Sequence, residues 1–557
     1  MLTPLALHAA DSRPTNQRAA TASLSRGALA ALAAATVVLH LVADAWSPYG
    51  IHRDELLYLA MGRHLRLWAM DFPPFMALAA QATRALALPF GGERALGTSM
   101  ALLRLLPALA AGAIVLLAAL VARALGGGRA AQLLAAACVL ASPLYMRTGA
   151  LFHPVVFDQL WWTLALYALV RIGRSAEDGS APVATAREWL LLGAALGLGL
   201  LTKFSVAFIA IGVVAGVLAT PLRRALGTPW PWAAALLALL IGSPGVVGQV
   251  RLGWPLVGQM AALRASQLVH VGPAEFLGGQ LLFGPQVLLA AFGVWALLAR
   301  PALRAGRAAA VACVVAFALL LLGHGKSYYI GPIYPSLWAA GAVALAADVA
   351  RWRTMPGWRP RVGLAVAAVG VALVALYGVV SLPLGVPILP PVPMARYAAA
   401  LGVGTETNTG GHLTLPQDFA DMLGWPEQAQ AAARVLHALP AADQARAVVA
   451  GGNYGEAGAI ELYGPPLGVS APISSAGSYW FFGPGPRAGD VLVVLADSAH
   501  AARDLPSLYA RVRPVARAIP DSLRPWVVPE QRNAWVFVCD GPRQTLQQVW
   551  PSLAGRN

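Results

Sequence analysis

Charge is scarce in this chain. Only 12% of the 557 residues are Asp, Glu, Lys or Arg, against 58% hydrophobic, and mean hydropathy is +0.62. No water-soluble domain of this length sustains that balance. Cysteine is nearly absent: Cys138 and Cys313 lie inside apolar runs and Cys539 stands alone in the tail, which excludes a disulfide framework. No internal repeat is evident, and His153 and His270 lack metal-ligand spacing, so they read as hydrogen-bonded structure. The net charge of +15 and pI near 10.3 come without a basic cluster. The arginines are scattered through short segments between apolar runs, which reads as membrane topology and excludes a nucleic-acid partner.

Apolar runs are abundant. A membrane span needs roughly 20 mostly apolar residues, and such runs recur until about residue 383. About eleven spans are expected, near 27–45, 99–122, 129–147, 152–172, 187–202, 204–221, 230–247, 277–299, 307–324, 328–349 and 361–383. With a cytoplasmic N-terminus, every inner connection is basic: Arg123 and Arg129, then Arg171, Arg174 and Arg187, then Arg223 and Arg224, then Arg300 and Arg304, then Arg351 and Arg353. Residues 1–26 then form a cytoplasmic lead-in, 27–383 a transmembrane bundle in the lipid bilayer, 384–394 a Pro-rich linker, and 395–557 an extracytoplasmic α/β domain. In that tail 446–450, 491–495 and 534–538 read as strands and 416–439 as helix.

The first outer loop, 46–98, is too long for a connector. From Asp54 to Trp68 its apolar residues Leu57, Met61, Leu65 and Trp68 recur at helical spacing, which predicts a helix lying in the membrane interface. Pro73-Pro74 breaks it and starts a second amphipathic helix running to about Leu88.

The assignment of sides gathers the unusual polar residues on one face. Asp54, Glu55, Asp71, His153, Lys203, His324, Lys326, Tyr328 and Tyr329 all fall in outer loops or at outer span ends, and Asp158 lies just inside one. Asp54 and Glu55 point about 100° apart on a helix, so they cannot share one proton. Either they cap an interfacial helix as solvated carboxylates, or one is a base while the other binds or orients. Tyr58 sits one turn after Asp54. Asp71 is either an N-cap or a binding group. Asp158, an ionisable group within a span, needs a polar surrounding. Lys203 either snorkels or serves the site. His324-Gly325-Lys326-Ser327-Tyr328-Tyr329 brings a cation and two phenols together, which suits an anionic group such as phosphate. Acids and cations together on a lipid-embedded bundle suggest transfer of a group from an amphiphile with an anionic head, by general-base and electrostatic catalysis.

Asp54-Glu55 with Tyr58, then Asp71-Phe72-Pro73-Pro74, Leu201-Thr202-Lys203 and Gly325-Lys326-Ser327-Tyr328-Tyr329 together resemble the bacterial branch of the dolichyl-phosphate-mannose-protein mannosyltransferase-like family, family 39 of the glycosyltransferases. The tail segments Leu415 to Met422 and Gly452 to Ile460 look like one subgroup of it. The resemblance implies a GT-C fold, an inverting transfer from a polyprenyl-phosphate-linked sugar donor to an envelope acceptor, and a bacterial inner-membrane location. It implies Asp54 as general base and Glu55 as acceptor ligand. Lys203, Lys326, Tyr328, Tyr329, Tyr58, Asp71, Asp158, His153 and His324 are then the candidates for donor phosphate and substrate. No cofactor is required on this reading, although Asp54, Glu55 and Asp71 could hold a divalent metal. The related aminoarabinose transferases carry Glu-Lys before the Pro pair where this chain has Asp71-Phe72, so Lys203 and Lys326 are expected to supply that charge. The rival expectation, a transporter or lipid flippase, would place ionisable groups near mid-bilayer with access from both sides.

Overall fold

The computed structural model describes residues 24–179, 185–405, 407 and 411–554. Most of the expected lead-in, residues 1–23, lies outside the described residues. Among the described residues seven helices are each long and apolar enough to cross a membrane: Arg26–Ala45, Leu105–Ala124, Pro154–Glu177, Trp230–Arg251, Pro301–Leu322, Ser327–Thr354 and Trp358–Gly385. Three further pairs qualify only if each counts as one span, because they bend by 68°, 98° and 104° at short breaks. By length and composition the described residues thus hold seven to ten spans, against about eleven expected. The segment expected at 187–202 forms the 17-residue helix Ala186–Thr202, short of the roughly 20 residues a full crossing takes.

Burial sorts the spans into centre and rim. Within its most apolar window the Ser327–Thr354 segment is 83% buried and the Trp358–Gly385 helix 11%. The rim helix turns Val366, Leu376 and Val379 outward, as lipid-facing surface requires. Inside, helices approach through small residues. A Cβ on Gly212 or Gly216 would stand 2.4 or 2.3 Å from the carbonyl oxygens of Ala312 and Ala308 on the neighbouring helix, so only glycine permits that contact.

The basic connections are tied together by ion pairs. Arg304 meets Glu177 at 2.8 Å, Arg300 meets Asp348 at 2.7 Å and Arg171 meets Glu188 at 3.0 Å. The helix that ends at Glu177 begins just after His153, and its 24 residues span about 36 Å. His153 and this basic end are thus held a membrane thickness apart.

Beyond the bundle the chain forms a four-stranded sheet of order β1-β2-β4-β3, with β1 Ala447–Gly451, β2 Val491–Asp497, β3 Tyr509–Arg517 and β4 Ala534–Pro542. β1 runs parallel to β2, while β4 is antiparallel to both β2 and β3. One face packs on the Trp425–His437 helix through Val449, Val493 and Val536, and the other carries Val448, Leu492 and Phe537 against Ala501 and Leu505. β3 is absent from the sequence reading. It is an edge strand whose Arg511, Arg513, Pro514 and Arg517 give no apolar alternation.

In the first loop the expected helix forms but stops at Arg63, and a second follows at Phe75–Ala87. The first is sandwiched. Leu56 and Leu59 join the bundle core, while Leu57 and Met61 pack against Ala457 and Tyr479 of the C-terminal domain. Of the apolar stripe that suggested a helix resting on lipid, Leu57, Met61 and Leu65 face protein instead, while Trp68, beyond the helix end, is exposed. Gly455 and Gly458 allow the Tyr454–Tyr463 helix to press on it: a Cβ at Gly458 would lie 2.7 Å from Leu56 Cβ and 3.3 Å from its carbonyl oxygen.

Candidate active site

The Arg53–Arg63 helix opens with a capping box. The Glu55 carboxylate accepts the His52 backbone N–H at 2.7 Å, while His52 Nδ1 accepts the Asp54 N–H at 3.1 Å. This cap sends the two adjacent carboxylates to different places.

Glu55 enters the bundle and is fully buried. Arg104 Nε and Nη2 donate to its two oxygens at 2.8 and 2.9 Å, and the Phe152 N–H donates at 2.7 Å. The same guanidinium holds Asp44 at 3.0 Å and the Gly50 carbonyl at 3.1 Å. Burial alone would raise the Glu55 carboxyl, but Arg104 and these two N–H groups hold it below its usual range. The expectation that Glu55 contacts an acceptor is corrected here: its oxygens are taken up by the scaffold.

Asp54 stays at the surface of the helix, with 28% of its side chain exposed. Tyr454, 400 residues away, donates its phenol to Asp54 Oδ1 at 2.8 Å. His153 Nε2 stands 3.6 Å from Oδ2. Because His153 Nδ1 accepts the Val155 N–H at 3.3 Å, the neutral ring carries its proton on Nε2 and turns it toward Asp54. Burial pushes the Asp54 carboxyl up, but His153, His52 and Arg53 together hold it well below the carboxylate range, so it is ionised at neutral pH.

Tyr58 packs edge-on to His153 at 5.6 Å. Burial, with the Asp54 charge beside it, pushes its phenol well up, so it remains a proton donor. Tyr328 lies within electrostatic reach of Tyr58, Asp54 and Asp418, and stacks edge-on with Tyr329 at 4.7 Å. Lys203 Nζ sits 4.6 Å from the Tyr329 ring centre and 6.0 Å from that of Tyr328, a cation–π seat. Asp158 is buried, accepts from Ser205 at 2.9 Å and faces the Lys203 charge. Lys326 donates to Gln267 at 2.5 Å and feels both Lys203 and Asp418. One end of the bundle thus gathers Asp54, Tyr58, His153, Asp158, Lys203, Lys326, Tyr328 and Tyr329.

Asp71 and His324 make their contacts elsewhere. The Phe75–Ala87 helix begins at Pro74 with no side-chain cap, so Asp71 is not its N-cap. It is buried, accepting from Ser478 at 2.9 Å and Gln259 at 3.3 Å. Burial raises its carboxyl to about 6 against those two hydrogen bonds. His324 is an exposed loop residue with Nδ1 2.8 Å from the Val271 carbonyl oxygen. With Glu55 held by Arg104 and Asp71 by Ser478, the three acids considered for a metal do not converge. Among the described residues no group of three His, Cys, Asp or Glu is placed to hold one.

Several site residues escaped the sequence reading. Arg104 lies within the span expected at 99–122 and is not singled out there. Arg147 pairs with Asp418 at 2.9 Å and covers the Phe419 ring at 4.1 Å. His52 Nε2 faces Asp418 and Asp421 at 3.9 and 4.0 Å, and Arg53 meets Asp421 at 3.7 Å. Tyr454, Asp418 and Asp421 all lie in the two tail segments that carried the subgroup resemblance, which was the available signal.

This geometry defines a multi-pass membrane protein with the fold of the GT-C glycosyltransferases. Residues 88–247 match the family described as dolichyl-phosphate-mannose-protein mannosyltransferase. ArnT from Cupriavidus metallidurans bound to undecaprenyl phosphate superposes with a TM-score of 0.57 at 16% identity, over 92% of this chain and 98% of that one. Its apo state gives 0.56 at 16% identity, over 95% and 99%. No curated protein matches the chain in sequence.

Proposed function

We propose that this protein transfers a sugar from a polyprenyl-phosphate-linked donor to a lipid, glycan or protein of the cell envelope, with inversion at the anomeric carbon. Asp54 takes the proton of an acceptor hydroxyl as that oxygen bonds to C1. The bond from C1 to the phosphate oxygen breaks on the opposite face, and the polyprenyl phosphate leaves with the electron pair. Lys203 and Lys326 balance its charge, while Tyr328 and Tyr329 offer phenolic donors to its oxygens. The observation that carries this reading is an ionised, partly exposed Asp54 at the same end of the bundle as two lysines and two phenols.

A carboxylate held below its usual range is a weak base, yet it is deprotonated throughout the physiological range, and the hydroxyl acidifies as the new bond forms. The basic connections about 36 Å away favour a cytoplasmic N-terminus in a bacterial inner membrane, with the site and C-terminal domain outside. ArnT with undecaprenyl phosphate supports a polyprenyl carrier. Mass spectrometry of envelope lipids and glycans from cells with and without the gene tests the reading: loss of one sugar names donor and acceptor, and identical spectra refute it. Lysine balances the leaving phosphate, so transfer is expected to survive EDTA.

A further inference from the structure

The catalytic end of the bundle is not complete within the bundle. The Tyr454–Tyr463 helix belongs to the C-terminal domain, yet its first residue reaches the candidate base. Its start is fixed by a second capping box, in which Asn453 accepts the Gly455 and Glu456 N–H groups and Glu456 accepts that of Asn453. Gly455 packs on the Arg53 side chain and Gly458 on Leu56 at distances no Cβ would fit. The Tyr454 ring lies 5.5 Å from the Arg53 guanidinium, and its hydroxyl meets Asp54 Oδ1 at 2.8 Å.

We propose that Tyr454 is a positioning residue: the C-terminal domain uses its hydroxyl to pin Asp54 Oδ1, so that Oδ2, on the His153 side, is the oxygen that takes the acceptor's proton. This rests on the reading of Asp54 as the base. A carboxylate on a short side chain rotates freely about its last bond unless something holds one oxygen. Orientation of the proton-accepting lone pair is worth rate only if it is fixed before the acceptor arrives. The domain's task at the site is therefore orientation, and a bundle without it would keep the carboxylate and lose its aim.

The test compares Tyr454→Phe, Asp54→Asn and Tyr463→Phe in the purified full chain, reconstituted in vesicles and mixed with membranes from cells lacking the gene. Those membranes supply native donor and unmodified acceptor, and product is followed by mass spectrometry over a range of membrane amounts, which separates kcat from KM. Asp54 is faced by His52, Arg53 and Tyr58 from its own helix, by His153 from the bundle, and by Tyr454 and Asp421 from the C-terminal domain. Removing the one phenol should lower kcat about ten-fold, the worth of a hydrogen bond to a charged group, and leave KM for the donor-bearing membranes unchanged. Tyr463, whose hydroxyl donates to the Gly97 carbonyl at 3.2 Å and stands away from Asp54, should be replaceable without effect. A wild-type kcat in Tyr454→Phe, with Asp54→Asn inactive, would overturn the positioning role and leave the base standing. A slower Tyr454→Phe with a lowered Tm, its loss accounted for by a raised KM or a smaller folded fraction, would mark a structural contact and overturn it too. An active Asp54→Asn would remove the base reading itself.

Discussion

The two flanks of the Arg53–Arg63 helix treat neighbouring carboxylates in opposite ways. On the bundle side, Glu55 and Asp44 share the buried Arg104, and every Glu55 oxygen is matched by a donor. On the C-terminal side, Asp54 has one oxygen tied to Tyr454 and the other 3.6 Å from His153, with a quarter of the side chain open. Burial of a charge is tolerable only with full pairing, so the closed flank serves as scaffold. Incomplete pairing at a surface leaves room for a reacting group, so the open flank is where the proposed transfer is assigned.

The largest effect should come from breaking the closed flank. Arg104→Met leaves Glu55 and Asp44 buried without a counter-charge, and about 3–5 kcal/mol of stability should be lost. Thermal unfolding in detergent measures this; an unchanged Tm would show that the triad holds nothing. Asp54→Asn, by contrast, should unfold like wild type and lose at least about a hundred-fold in sugar transfer, the usual worth of a general base. If its Tm fell as far as that of Arg104→Met, the contrast between the flanks would collapse.

Asp71 sharpens the comparison, being buried with polar partners but no cation. Its folded-state carboxyl sits at about 6, above its ordinary 3.8. The folded protein therefore holds a proton that the unfolded chain has already released, and stability falls as pH rises from about 4 to 6. Asp71→Asn should escape that loss. Its Tm advantage should approach the equivalent of about 3 kcal/mol at pH 7.5 and shrink as pH drops below 6; an advantage independent of pH would refute the assignment. The smallest effect is expected at the domain contact. Gly458→Ala sets a methyl against Leu56 at a cost of about 1–3 kcal/mol, and by easing Tyr454 off Asp54 it should slow transfer more than it lowers Tm. Equal activity per folded molecule would show that the two helices can part without consequence.

Much of this was legible beforehand because the signals were local. Hydropathy located the spans, and Asp54 to Tyr58 announced a polar site at a membrane edge. The span count came out high because composition cannot distinguish a crossing from a 17-residue helix or from two helices bent by 104°. Local pattern did not separate Asp54 from Glu55, which only the family resemblance assigned to different roles, since their fates depend on Arg104, 49 residues on, and Tyr454, 400 residues on. Asp71 looked like a cap because it preceded two prolines, but its partners Ser478 and Gln259 come from distant segments.

By itself the sequence determined that the chain lives in a bilayer, where its polar residues cluster and which segments are helical. Those properties follow from transfer free energies and backbone preferences read within a few turns. Tertiary structure alone decided which carboxylate is sealed and which is open. Burial and counter-charge at any one residue are set by what packs on it, and here that is a guanidinium from one span and a phenol from the far end of the chain.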